Sequence, residues 1–376
     1  MMLVAGEASG DLHASNLVRA VKEIAPEISF YGVGGKLLRE AGSEILVDSA
    51  DVAVVGLSEI FSSLSVILGA LKLLKKRLRE DRPALLVLID FPDFNLMLAA
   101  YAKKLGIPVF YYISPQVWAW RKGRVKKIAR LVDRMAVAFP FEAPLYEKVG
   151  LDVSFVGHPL IDAVTVNSSV EDIRQRLGVP EGKRVIALMP GSRGKEIRFL
   201  LPPMLESAEI MAERSPEFHF VLPLAHTVNR QLIDEKLSLY NIDVSLVEGM
   251  TYEVLKVADL AFIASGTATL EAAILGTPMV VVYKGTTITY LVGSMLIKLP
   301  SFSLPNIVAD KQVVPELLQD DVNAGRMVEE AFAILYGKGF ADEMRRELAA
   351  VREKLGGGGA SKRTAELLVE MIGTIR

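Results

Sequence analysis

The stretch Leu85-Leu86-Val87-Leu88-Ile89-Asp90-Phe91-Pro92-Asp93-Phe94-Asn95 decides the fold class. An unbroken apolar run that ends at an acid and a proline turn reads as a strand, and the residues from Asn95 onward read as a helix. The same unit recurs on both sides of it. In the first half the strand-like runs are Met1 to Ala5, Phe30 to Val33, Val109 to Ser114, Met135 to Phe139 and Val153 to Val156. In the second half they are Val185 to Met189, Phe218 to Leu222, Val244 to Val247, Leu260 to Ala264 and Met279 to Tyr283. Short apolar runs alternating with turns and helices predict an α/β chain of parallel sheets.

A chain of 376 residues exceeds what one core usually serves, and the strands form two successive groups, so two Rossmann-like doubly wound domains are expected. Gly157-His158-Pro159 and the polar segment Val166 to Asp172 lie between the groups. The expected domains are therefore 1–165 and 166–345, followed by C-terminal helices over 346–376 that can pack back on the first domain. The glycines Gly356 to Gly359 separate the last helix from the rest. Two such domains facing each other across a cleft bring ligands to the carboxyl ends of their strands.

Composition removes several classes. The chain has no cysteine, so disulfide scaffolds, thiolate metal sites and cysteine nucleophiles are excluded. With 43 Lys and Arg against 45 Asp and Glu, affinity for anions must come from local clusters. The N-terminus does not read as a signal peptide, and no window of about eighteen uninterrupted apolar residues exists, so a cytoplasmic protein without a spanning helix is expected. The mean hydropathy of +0.33 is high enough to leave attachment to a membrane face open.

Five loops carry candidate chemistry. Val4-Ala5-Gly6-Glu7-Ala8-Ser9-Gly10-Asp11 follows the first strand and opens a helix whose amides can face an anion or a sugar. It lacks the G-x-G-x-x-G spacing, which argues against a nicotinamide or flavin enzyme. The loop is either a tight turn with Ser9 or Asp11 as an N-cap, or one in which Glu7 has a functional role. Asp90, walled by Phe91 and Phe94, is either a general base with a pKa raised by desolvation or, with Asp93, a helix cap.

Ser114-Pro115-Gln116-Val117-Trp118-Ala119-Trp120 holds both tryptophans and suggests a platform. It leads into Arg121, Lys122, Arg124, Lys126, Lys127, Arg130 and Arg134, either a phosphate-binding helix face or a solvated one. A nucleic-acid partner is not expected, because no recognisable module is present. Pro190-Gly191-Ser192-Arg193-Gly194-Lys195-Glu196 presents turn amides and a guanidinium to a pyrophosphate, without the Walker spacing. Ser265-Gly266-Thr267-Ala268-Thr269-Leu270-Glu271 repeats the arrangement, with Glu271 one turn into the helix where a ribose can meet it. Asn306, after Pro305, can bind a base, a sugar or a phosphate oxygen.

There is no D-x-D pair, and His13, His158, His219 and His226 lack metal-ligand spacing, so no metal and no cofactor is expected. His158 reads as a hinge or structural residue. Two segments are either interfacial helices or buried ones: Leu64 to Leu78, which ends in cations, and Tyr290 to Leu299.

Taken in order along the chain, these five loops and Leu304-Pro305-Asn306 closely resemble the lipid-A-disaccharide synthases of Gram-negative bacteria. The resemblance covers nearly the whole chain, which differs only in starting almost at the first strand. It implies a GT-B fold and inverting, metal-independent transfer of 2,3-diacylglucosamine from its UDP derivative to 2,3-diacylglucosamine 1-phosphate. UDP-diacylglucosamine and diacylglucosamine 1-phosphate would be the substrates, and the cytoplasmic face of the inner membrane the place of work. It further implies Asp90 as the base, Glu7 orienting the acceptor and Arg193 neutralising the departing diphosphate. Gly191, Ser192, Ser265, Gly266, Thr267, Glu271 and Asn306 would hold the nucleotide. Ser9, Asp11, Trp118, Arg121 and Lys122 would meet the acceptor and its phosphate. A UDP-GlcNAc epimerase or a transferase with another lipid acceptor shares the fold and donor site, and a non-catalytic nucleotide-sugar-binding protein at the membrane is the reading outside enzymes.

Overall fold

The computed structural model describes residues 1–52, 60–118, 122–225, 228–285 and 300–375. They divide into two units, the first made of Met1–Pro159 with Leu355–Arg376 and the second of Leu160–Lys354.

The first unit holds β1 (Met2–Ala5), β2 (Tyr31–Gly34), β3 (Glu44–Asp48), β4 (Leu86–Ile89), β5 (Val109–Tyr112), β6 (Arg134–Val137) and β7 (Asp152–Phe155). They form one parallel sheet in the order β3-β2-β1-β4-β5-β6-β7. Side chains on a strand alternate between faces, so Met2, Val4, Leu86 and Leu88 enter one core. Leu3, Ala5, Val87 and Ile89 enter the other. Burial on both faces is why these strands read as continuous apolar runs.

The helix Ala360–Ile375 belongs to the first unit. Its Ala365 and Leu368 share a core with Ala14, Leu17 and Val18 of the helix Ala8–Ile24. Arg363 fixes the return, donating from Nε and Nη2 to the Val156 carbonyl at 2.9 and 2.7 Å. The preceding helix, Phe340–Lys354, lies with the second unit, where the Met279 amide meets Met344 Sδ at 3.4 Å.

The second unit holds β8 (Arg184–Met189), β9 (Phe218–Leu224), β10 (Val244–Glu248), β11 (Leu260–Ala264), β12 (Met279–Tyr283) and β13 (Glu316–Leu318). This sheet is also parallel, in the order β10-β9-β8-β11-β12-β13. Every strand expected from the sequence is present. The two that sequence reading missed, β3 and β13, are edge strands and only partly buried.

Candidate active site

In the first unit β1 and β4 are neighbours, with Ala5 opposite Ile89, so the loops that follow them leave the sheet side by side. A Cβ on Gly6 would lie 2.4 Å from the Phe91 ring; only hydrogen allows that approach. Asp90 and Phe91 both adopt left-handed backbone, φ 45° and 47°, at a cost on the order of 1–3 kcal/mol each. The Asp90 carbonyl is held by Tyr111 Oη at 2.5 Å and by Asn95 Nδ2 at 2.6 Å. Asn95 Nδ2 also reaches the Ile89 carbonyl at 3.2 Å, from a fully buried position.

The helix Pro92–Lys104 starts on a proline and has no side-chain cap, so neither Asp90 nor Asp93 is the cap that the sequence left open. Asp93 instead pairs with Arg124 at 2.6 Å. Burial pushes the Asp90 carboxyl up, the neighbouring charge of Glu7 pushes it further, and a hydrogen bond from the Phe91 amide opposes them, leaving it at about 6. Glu7 is the N-cap residue of the helix Ala8–Ile24, with an exposed side chain and no capping bond, and Ser9 is exposed in its first turn.

Two acceptor assignments are corrected by the hydrogen bonding. The buried carboxylate of Asp11 accepts the amides of Gly35, Leu37 and Leu38 at 2.6, 3.0 and 3.2 Å, and so caps the helix Lys36–Glu40 rather than facing a ligand. Trp118 is no platform either: it is buried edge-on against Phe139 and Phe141 and donates Nε1 to Glu142 at 3.0 Å. Trp120, Arg121 and the Lys122 side chain lie outside the described residues, as does Tyr290 to Leu299. His13 and His158 are buried, and desolvation lowers them to about 4 and about 3.

In the second unit β8 and β11 are neighbours, with Ile263 opposite Met189, and their loops line a cavity of about 380 Å³. Gly191, Ser192, Arg193, Ser265–Ala268 and Glu271 all border it. Sequence reading gave the Ser192 and Arg193 amides to a pyrophosphate. Here both donate to Glu196 Oε2, at 3.0 and 3.3 Å, so this carboxylate closes the start of the helix Gly194–Arg214. Gly191 is left-handed, φ 104°, and a Cβ there would meet that carboxylate at 2.2 Å. The Arg193 side chain remains 74% exposed.

Across the cavity the helix Ala268–Leu275 has no side-chain cap. Among the described residues the amides of Gly266, Thr267 and Ala268 have no acceptor. Glu271 accepts Tyr252 Oη at 3.4 Å, and burial raises its carboxyl. Asn306 does not reach out as expected. Its Nδ2 donates to the Val314 carbonyl and to Glu316, and its Oδ1 accepts the amides of Val313 and Val314, so its bonding capacity serves the loop beside β13.

Sequence reading passed over three carboxylates that build these loops, Glu142, Glu196 and Glu316. The available signal was a lone acid in an otherwise aromatic or small-residue turn after a strand, as in Phe139-Pro140-Phe141-Glu142.

Also in the first unit, Lys75, Asp93, Met97, Tyr101, Lys104, Arg124 and Lys127 border a cavity of about 430 Å³. The helix Ile60–Asp81 buries Leu71, Leu74 and Leu78 but exposes Val66, Leu68 and Leu73. No helix among the described residues is long and apolar enough to cross a membrane.

The family model described as lipid-A-disaccharide synthetase matches residues 1–367. The lipid-A-disaccharide synthase of Geobacter sulfurreducens is 48% identical over 99% of this chain and 97% of its own length. That of Syntrophus aciditrophicus is 48% identical at the same coverage. Among solved structures, a UDP-GlcNAc 2-epimerase from Neisseria meningitidis bound to UDP-GlcNAc aligns with TM-score 0.66 at 16% identity, over 98% of this chain and 99% of that one. The glycotransferase of kitacinnamycin aligns with TM-score 0.63 at 15% identity, over 98% of both chains. Those two likenesses concern the fold, which is GT-B. The chain belongs to the lipid-A-disaccharide synthase family of glycosyltransferases.

Proposed function

We propose that the protein transfers 2,3-diacylglucosamine from UDP-2,3-diacylglucosamine to the 6-hydroxyl of 2,3-diacylglucosamine 1-phosphate, with inversion at the anomeric carbon and release of UDP. One observation carries the mechanism: Asp90 stands in a strained, hydrogen-bonded bend at the carboxyl end of β4, its carboxyl raised to about 6. A base poised there is ionised at neutral pH yet accepts a proton more readily than an ordinary aspartate.

In this reading the acceptor oxygen attacks the anomeric carbon while Asp90 takes its proton. The bond from that carbon to the diphosphate breaks, and its electron pair leaves with UDP. Arg193, exposed at its cavity, and the acceptor-free amides of Gly266, Thr267 and Ala268 take up the charge of the leaving group. The reading assigns that neutralisation to the protein and not to a metal. Glu271 meets the ribose, and Glu7, whose charge already acts on Asp90, orients the acceptor.

The lipid end of the reading is supported by the helix Ile60–Asp81 and the cavity that its Lys75 borders. Exposed Val66, Leu68 and Leu73 suit acyl chains, and Lys75, Lys104, Arg124 and Lys127 suit anionic headgroups, so the protein works as a peripheral protein on a membrane surface. Incubation with the acylated UDP-sugar and the acceptor phosphate, followed by mass analysis, tests the proposal. A tetraacyl disaccharide 1-phosphate together with UDP is the expected product. UDP with free diacylglucosamine, or epimerised sugar nucleotide alone, would sink it.

A further inference from the structure

Glu142 takes no part in the proposed transfer, yet it is one of the most deeply placed acids of the first unit, 2% exposed. Its Oε1 accepts Ser114 Oγ at 2.6 Å and Trp118 Nε1 at 3.0 Å, and its Oε2 accepts the Phe139 amide at 3.2 Å. All three partners are donors, and the ionised carboxylate accepts all of them without a competing O–H. Burial pushes that carboxyl up to about 7 against the pull of the same donors. A core that needed only volume there would be better served by an apolar residue.

The bonds join two loops. Ser114 and Trp118 bracket the chain as it leaves β5, and Phe139 and Glu142 lie in the turn that leaves β6. Directly before Ser114, Ile113 is left-handed at φ 62°. A β-branched side chain rarely takes that conformation, and it persists only where the surroundings fix it. The Ile113 amide donates to the Ala136 carbonyl at 2.9 Å, and the Glu142 carboxylate holds the residue that follows. Strand β5 pairs with β4, Tyr112 opposite Ile89, so this bend sits beside the left-handed pair Asp90 and Phe91. From the same strand Tyr111 Oη holds the Asp90 carbonyl.

We propose that Glu142 is a positioning residue: by clamping the Ser114–Trp118 loop to the turn after β6 it fixes the Ile113 bend, and through β5 sets Asp90 where an acceptor hydroxyl can meet it. The inference rests on Asp90 being the base.

The test compares E142Q and W118F with the unmodified protein. In E142Q the carbonyl keeps two donors, while the new amide group opposes the Phe139 amide. W118F removes only the indole donor and keeps an aromatic ring against Phe139 and Phe141. The measurements are kcat and the KM of each substrate, with thermal unfolding alongside. E142Q should lower kcat/KM for the acceptor about ten-fold, equivalent to about 1.4 kcal/mol, with the KM of the UDP-sugar unchanged. W118F should move the same constants less, and the double variant should lose no more than E142Q, because both act on one clamp. Should E142Q fail to fold, W118F decides by the same constants. Full acceptor kcat/KM in both variants, or a loss shared equally by donor KM and unfolding temperature, would overturn the assignment. Failure of the unmodified protein to form disaccharide would instead remove the transfer reading itself.

Discussion

At the carboxyl end of β4 the left-handed positions fall to Asp90 and Phe91, whereas at the end of β8 the corresponding position falls to Gly191. The first loop keeps side chains where backbone geometry disfavours them and half-buries its acid. The second puts glycine at the bend, caps its amides with Glu196 and pairs its largely exposed guanidinium with the same carboxylate at 3.5 Å. Burial raises acids in both units, Asp90 and Glu142 to about 6 and about 7 in the first and Glu271 in the second. Strain and desolvation adjust proton affinity, while the Gly266, Thr267 and Ala268 amides, without an acceptor among the described residues, and the exposed Arg193 suit an anion. The proposed transfer places its base in the first unit and its nucleotide in the second.

The sharpest way to break this division is D90N, which should reduce kcat by ~10²–10⁴-fold and leave UDP affinity unchanged in a calorimetric titration. Unchanged turnover would take Asp90 out of the mechanism. R193A should cost ~10²–10³-fold in kcat and, unlike D90N, weaken UDP as well. R193K should recover little of it, since an ammonium cannot reproduce the bidentate fork.

The pH profile sharpens the assignment next. Asp90 must be ionised to accept a proton and its carboxyl is raised to about 6, so kcat/KM should fall about ten-fold per pH unit below that value. An acid limb in the ordinary carboxylate range would contradict the raised carboxyl. The smallest effect concerns packing alone. G6A drives a methyl into the Phe91 ring, while nothing lies within 4 Å of a Cβ on Gly266. G6A should therefore lose about 1–3 kcal/mol in denaturant unfolding, and G266A should stay within about 0.5 kcal/mol. Equal losses would show that the first loop is no tighter than the second.

The sheets were legible because their central strands are buried on both faces and so read as unbroken apolar runs. β3 and β13 escaped because edge strands need no such run: Glu44 is exposed, and β13 is three residues long. At the site, sequence reading puts Asp90 at a strand end, Arg193 in the turn after β8 and Glu271 one turn into the helix after β11, where the structure has them. It could not tell what each polar group bonds. Asp11 answers to amides more than twenty residues away, Trp118 to Glu142, and Asn306 to Val313, Val314 and Glu316. Such partners come from other loops, and no local pattern announces them.

The return of the helix Ala360–Ile375 to the first unit has a consequence for biosynthesis. When the first 159 residues have left the ribosome, Ala14, Leu17 and Val18 still lack the Ala365 and Leu368 that cover them. The second unit is one continuous stretch and can be completed earlier than the one that precedes it. A messenger truncated after the codon for Lys354 would thus encode an intact C-terminal lobe joined to an N-terminal lobe with a bare greasy flank, a form suited to chaperone capture and degradation.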